Sequence, residues 1–219
     1  MLLAIDTASR VTGLALYDQA GLHMEQLWLS GDNHTVELMP YIVRACGQQN
    51  LTPSALQAVA VSLGPGSFTG LRVGLSVAKG LALALRIPVL GVPTLDAMAY
   101  AHSREVLPVC AVLPAGRGRW CAALYGSGGA SGWQRSSDYV LVTADDLLGV
   151  LQEPTLICGE LDQLLVDALR AGAAERAVIA SPALRMRRAG YLAELAWQRL
   201  SAGEQDGLSS LAPIYLQHP

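Results

Sequence analysis

Gly64-Pro65-Gly66-Ser67-Phe68-Thr69-Gly70 places three glycines and a proline within seven residues, a density that no helix or strand interior tolerates. Residues 59–63 before it form an apolar run of strand length. Leu71-Arg72-Val73-Gly74-Leu75 after it opens a small-residue segment long enough for a helix. The pattern predicts strand, tight loop and helix N-terminus, with Ser67 or Thr69 placed to accept the first N–H groups and Phe68 as an apolar anchor. Such a loop has two uses. It can cradle an anion at the positive end of a helix dipole, or it can let another stretch of backbone come close.

Size and composition narrow the setting. A chain of 219 residues suits one large domain or two small ones. It is 52% hydrophobic and 15% charged, against about 25% charged in ordinary soluble domains, so apolar surface is expected to be buried against a partner. Net charge is −3 and the 15 Lys and Arg are dispersed. No basic run interleaved with aromatics argues for autonomous tRNA or DNA binding. Cys46, Cys110, Cys121 and Cys158 lack CxxC spacing and sit among apolar neighbours, so they read as buried, reduced thiols. The N-terminus has no positive region and its apolar run ends at Asp6, unlike a signal peptide. No uninterrupted apolar run approaches the ~20 residues of a membrane span. The expectation is a cytoplasmic protein without membrane contact.

Along the chain, residues 2–5, 12–17 and 22–29 predict three strands in an antiparallel meander. A break at Gly31-Asp32-Asn33 follows, then a helix over His34–Gln48 capped by Asn33 and bent at Pro40. A strand at 57–63, the glycine loop, a helix over 68–86, a strand at 87–91 and a short helix capped by Thr94 complete a first lobe, residues 1–104. The second lobe, residues 105–219, echoes it. Strands are predicted at 107–113, 120–125 and 132–142, with a turn at Gly126-Ser127-Gly128-Gly129. Helices at 144–151 and 161–171 then alternate with strands at 155–158 and 177–180, and a helix at 187–200 follows. Strands first in a meander and then alternating with helices describe two mixed α/β lobes.

The chemistry admits two readings of Asp6. A carboxylate at the end of the first strand, with Thr7 beside it, can meet a phosphate or Mg²⁺, in company with Gly64, Gly66 and Ser67. It can equally form an Asx turn with nearby backbone. A kinase would need a second phosphate loop opening the second lobe, but Pro114-Ala115-Gly116-Arg117-Gly118-Arg119 offers no carboxylate, only Arg117 and Arg119. His34 and Glu37, three apart on one helix, are short of the three or four ligands zinc requires. No Gly-x-Ser-x-Gly elbow accompanies Ser67.

The helix after the loop carries another signal. Gly70, Gly74 and Ala78 recur every four residues beside Leu71, Leu75 and Ala82, and such small residues admit a second helix backbone. On the preceding helix Leu38, Met39, Ile42 and Cys46 share a side. This reading makes these ten residues a partner interface; the competing one packs the small residues on the protein's own sheet. Arg72, Ser76, Lys79 and Arg86 form a separate narrow stripe.

Residues 3–7 (Leu-Ala-Ile-Asp-Thr), His34-x-x-Glu37-Leu38-Met39-Pro40, the glycine stretch through Gly74, Ala78-Lys79-Gly80 and Ile87-Pro88-x-x-Gly91-Val92-x-x-Leu95-Asp96 resemble the bacterial TsaB (YeaZ) family, closely over roughly the first 100 residues. The resemblance implies a two-lobed actin-like ATPase (ribonuclease-H-like) α/β fold. It implies a non-catalytic paralogue of TsaD that pairs with TsaD and works with the ATPase TsaE in forming threonylcarbamoyladenosine beside the tRNA anticodon. The same two helices are expected to form a homodimer in isolation, with an interface on the order of 1,600 Å². No cofactor is expected on the chain alone, ATP is used by the complex, nucleotide is placed at the partner junction, and tRNA is met only through the complex. Where the family has Asp-Ala-Arg-Arg-Gly-Glu, this chain has residues 114–119, and its closing motif ends in Gln217. The alternative is an actin-like ATPase or metallopeptidase using Asp6, His34 and the glycine loop.

Overall fold

The structure is a computed structural model describing residues 1–30, 33–127 and 133–216. Gly31 and Asp32 of the predicted break, Gly128 and Gly129 of the predicted turn, Gly132, Gln217 and His218 lie outside the described residues. The chain divides into two compact units, Met1–Thr94 with Arg188–Ile214, and Leu95–Arg187 with the chain end from Tyr215.

In the first unit, β1 (Leu2–Asp6), β2 (Val11–Asp18) and β3 (Gly21–Leu29) form the meander. Then come α1 (His34–Gln48), β4 (Ala58–Ser62), α2 (Phe68–Leu85) and β5 (Val89–Val92). The strand order is β3-β2-β1-β4-β5. β2 runs antiparallel to both its neighbours, whereas β1, β4 and β5 are parallel. Alternation decides which residues meet the helices. Leu3, Ile5, Leu14, Leu16, Val59 and Val61 cluster with Leu38, Ile42 and Cys46 of α1 and with Leu75, Ala78 and Ala82 of α2. Each such leucine, fully buried, contributes about 1.5–3 kcal/mol. The last helix, α6 (Ala189–Ser201), lies on β1 and β2, where a Cβ at Gly13 would stand 3.1 Å from that of Ala189.

α6 corrects the expected division at residues 104/105. Its Ala189, Leu192, Ala193 and Ala196 are buried, Arg188 donates to Glu25 of β3, and Arg199 donates to the Gly91 carbonyl at 2.8 Å. These contacts fasten the helix to the first sheet. A linear boundary could not register that return.

In the second unit, α3 (Thr94–Tyr100) leads into β6 (Val109–Gly116), β7 (Arg119–Ser127), β8 (Trp133–Arg135), β9 (Val140–Val142), α4 (Ala144–Val150), β10 (Thr155–Gly159), α5 (Gln163–Gly172) and β11 (Ala177–Ile179). The order is β11-β10-β6-β7-β8, with β9 also on β7. The single strand expected over 132–142 is thus two, both paired with β7. Tyr139, in the segment between them, and Tyr125 each donate 2.7 Å bonds to Asp96 Oδ1. Thr143 caps α4 in a reciprocal box with Asp146.

Two caps differ from expectation. Asn33 makes no side-chain cap bond, and the Thr94 hydroxyl accepts from Gly64 N–H at 3.1 Å. Among the described residues, α2 alone is long and apolar enough to cross a membrane by length and composition. Here it packs on β4 and α1.

Candidate functional site

The glycine loop and the turn after β1 are built into each other. Gly64 has φ +104°, and a Cβ on Gly66 would strike the carbonyl oxygen of Ala8. Ser67 N–H donates to that same carbonyl at 2.6 Å. The Ser67 side chain accepts from Gly70 N–H at 3.2 Å and so caps α2. On the facing turn, buried Asp6 accepts from Ala8 N–H at 3.1 Å through Oδ1, the Asx-turn geometry. Thr7 N–H donates to Ser62 Oγ at 3.3 Å, and Thr7 Oγ1 donates to the Gly70 carbonyl at 2.7 Å. Thr7 therefore meets the start of α2 at Gly70, and Ala8 meets Gly66 and Ser67, while Asp6 bonds within its own turn and Gly64 N–H reaches Thr94. The N–H groups of Gly64, Ser67, Gly70 and Leu71 are each engaged inside the unit.

This arrangement also fixes the rotation of α2. A Cβ on Gly70 would strike the Thr7 carbonyl, and one on Gly74 would strike Thr7 Oγ1. The small-residue stripe faces the protein's own β1 turn. Leu38, Ile42, Cys46, Gly70, Leu71, Gly74, Leu75, Ala78 and Ala82, nine of the ten residues expected at a partner interface, are buried within the first unit. Met39 alone of that set is exposed. The correction has a simple cause: glycine and alanine suit a close approach from either side, and here the close neighbour is Thr7.

Large apolar side chains also stand on the outward side of α1, and α2 exposes Leu83 among polar neighbours. Val36 is 68% exposed and Val43 65%, with Met39 between them on α1, and Leu83 on α2 is 71% exposed. The sequence did hold a signal for them. Val36, Met39 and Val43 stand at i, i+3 and i+7, a second apolar stripe beside the one that enters the core. Phe68 is no anchor: it is 54% exposed, with the Arg72 guanidinium carbon 3.5 Å from its ring centre, a cation–π contact.

The remaining candidates are accounted for locally. His34 Nδ1 lies 2.9 Å from Thr12 Oγ1, both residues buried. Glu37 accepts from Trp28 Nε1 and Ser30 Oγ at 3.1 and 2.7 Å. The structure thus holds His34 and Glu37 on different partners, and no group of three His, Cys, Asp or Glu able to hold a metal occurs among the described residues. Residues 114–119 are the tip of the β6–β7 hairpin, Gly116 pairing with Arg119. Gly116, Arg117 and Gly118 all have positive φ there, a turn conformation.

Comparison with known proteins agrees with this architecture. The family model described as TsaD, tRNA N6-adenosine threonylcarbamoyltransferase, matches residues 29–217. The tRNA threonylcarbamoyladenosine biosynthesis protein TsaB of Bacillus subtilis is 32% identical over 124 residues, covering 57% of this chain and 54% of that one. The chain spans about half the length of the curated relatives it matches. A Pseudomonas aeruginosa structure, described as an uncharacterized protein with similarity to peptidase YeaZ, superposes with TM-score 0.81 at 23% identity, covering 99% of both chains. The ethanolamine utilization protein EutJ of Carboxydothermus hydrogenoformans gives TM-score 0.55 at 11% identity, over 87% of this chain and 88% of that one. These place two mixed-sheet lobes among actin-like ATPase folds. By its family match and its TsaB and YeaZ relatives, the chain belongs to the TsaD family, on the TsaB/YeaZ branch.

Proposed function

We propose that this chain is a non-catalytic subunit in the formation of threonylcarbamoyladenosine beside the tRNA anticodon. In this reading it pairs with a TsaD-type transferase through the outward faces of α1 and α2, while TsaE supplies ATPase activity to the assembly. The chain holds no cofactor by itself, nucleotide sits at the partner junction, and tRNA is met only through the complex. In isolation two copies pair through the same faces. The setting is the cytoplasm.

One observation carries the reading. Val36, Met39, Val43 and Leu83 leave large apolar side chains in water on two neighbouring helices, in a chain with little charge to cover its surface. The engagement of Thr7 and Ala8 with the glycine loop and the start of α2 supports a structural use of that loop.

The test is a double variant, Val43→Asp with Leu83→Asp, co-purified with a TsaD protein. Both positions are exposed, so the fold should survive while capture falls at least tenfold, since placing unpaired carboxylates in a desolvated contact costs several kcal/mol. Capture equal to wild type would refute the assigned surface. Transferase, nucleotide-hydrolysing or peptidase activity of the purified chain, lost in Asp6→Ala, would refute the non-catalytic role.

A further inference from the structure

The second unit contains a cavity of about 150 Å³ that its own side chains leave unfilled, between the second sheet and α4. Protein interiors pack as densely as organic crystals and hold few voids larger than a water molecule. The strand register explains the space. Directly opposed residues on antiparallel neighbours share a face of the sheet, as do residues two apart on one strand. Ala122 of β7 stands between Val112 of β6 and Val140 of β9, and Cys110 stands opposite Leu124. Along β7, Ala122 is also a short side chain between Trp120 and Leu124, which pack into the same cluster. The two short residues leave a dent that Val142 and Leu147 roof without filling. All four of Cys110, Ala122, Val142 and Leu147 are buried. Val140 and Val150 also line the cavity yet are 40% and 42% exposed, so it opens to water between them.

The lining decides what can enter. A water molecule there would need two to four polar partners. Ser137 Oγ is already engaged, accepting from Leu124 N–H at 2.9 Å and donating to the Asp138 carbonyl at 3.0 Å. Burial pushes the Cys110 thiol up to about 12 and keeps it neutral. The other lining side chains among the described residues are aliphatic. The space offers no charge and no uncommitted hydroxyl, so an ion or a phosphate would be desolvated there without compensation.

We infer that this cavity is a binding site for a small uncharged apolar molecule, an aromatic ring or branched hydrocarbon of about six to eight non-hydrogen atoms. The size follows from the volume: an engineered apolar cavity of about 150 Å³ in another protein stays dry and admits benzene. The guest touches β7, β9 and α4 at once. β9 has three residues and pairs with β7, and α4, seven residues long, follows it directly. Filling the cavity therefore fastens a lightly held segment to the sheet. The site lies wholly in the second unit and is independent of the docking face proposed above.

Toluene is the probe, and benzoate, a ring of similar size that carries a charge, is the control. Amide hydrogen exchange of the full chain, followed by mass spectrometry, reads the site directly. Near-saturating toluene is expected to slow exchange over residues 140–150 by about threefold to tenfold, since a ligand protects in proportion to its concentration over its dissociation constant. Exchange in α1 and α2 should not change, and benzoate should protect nothing. Ala122→Leu fills the cavity with the protein's own side chain, so it should abolish the toluene response and leave resistance to urea equal to or above that of wild type. Ala122→Val adds less volume and serves where leucine strains the strand; it should reduce the response at least severalfold. Wild-type exchange unaffected by toluene would overturn the inference. Protection by benzoate equal to that by toluene would overturn the apolar specificity, and a toluene response unchanged in both variants would show that the guest binds elsewhere.

Discussion

Replacing Gly74 by alanine distinguishes an inward from an outward stripe on α2. The added methyl would strike Thr7 Oγ1, whose hydroxyl donates the 2.7 Å bond to the Gly70 carbonyl. If Thr7 swings away, that buried bond is lost and its groups go unsatisfied, a cost of about 1–3 kcal/mol. If it stays, the helix must shift, and overpacking costs a similar 1–3 kcal/mol. Against this, alanine in a helix interior gains roughly 0.5–1 kcal/mol over glycine. The net expectation is a destabilisation of about 1–2 kcal/mol, measured by urea unfolding followed by circular dichroism. Gly80 on the same helix has nothing within 4 Å of an added Cβ, so Gly80→Ala should stabilise by a few tenths to about 1 kcal/mol. Thr7→Ala should relieve much of the Gly74→Ala cost, giving a coupling of about 1 kcal/mol in a double-mutant cycle. A Gly74→Ala protein as stable as Gly80→Ala, yet unable to bind its partner, would refute this rotation of α2.

Asp206 provides a pH test within the first unit. Burial works against its ionisation, but hydrogen bonds from Arg199 and from Gly91 N–H, with the Arg199 charge, outweigh burial and hold its pKa below the ordinary carboxylate value. A carboxylate lowered on folding contributes stability above its unfolded pKa and loses it as pH falls through the folded value. Acid unfolding monitored by fluorescence should therefore begin at higher pH in wild type than the curve of Asp206→Asn, referenced to its own neutral stability, would indicate; coincident normalised curves would remove this ion pair from the acid limb. Burial pushes the Cys110 thiol up to about 12 and Cys121 to about 11, and it raises Cys46 and Cys158 as well. All four thiols should resist a disulfide reagent at pH 8 in the native protein and react together in denaturant, whereas rapid native labelling of any one would contradict its burial.

Much of the fold was legible because its signals are local. The apolar strand runs, the glycine loop and the helical periodicity of residues 34–48 each act over a few residues, and the element order of the first lobe follows from them. Asp96 was legible only as a family motif. Its role as common acceptor for Tyr125 and Tyr139 joins residues 29 and 43 positions away, a distance no periodicity reports. α6 was found as a helix and assigned to the wrong unit, because an amphipathic pattern states that one face is buried without naming the sheet that buries it.

The glycine stretch by itself determined that a loop must launch α2 and that something must come close to it, since three glycines and a proline admit neither strand nor helix interior. The apolar periodicity of α1 and α2 likewise determined that each helix has a buried face. Only the tertiary structure decided what came close. Thr7 and Ala8 fill the space at Gly66, Gly70 and Gly74, turning the small residues inward and leaving Val36, Val43 and Leu83 outward. The physical reason is that a residue without a side chain records that a neighbour is near but not which neighbour it is. A helix apolar on more than one side requires the sheet's position to show which side remains for another protein.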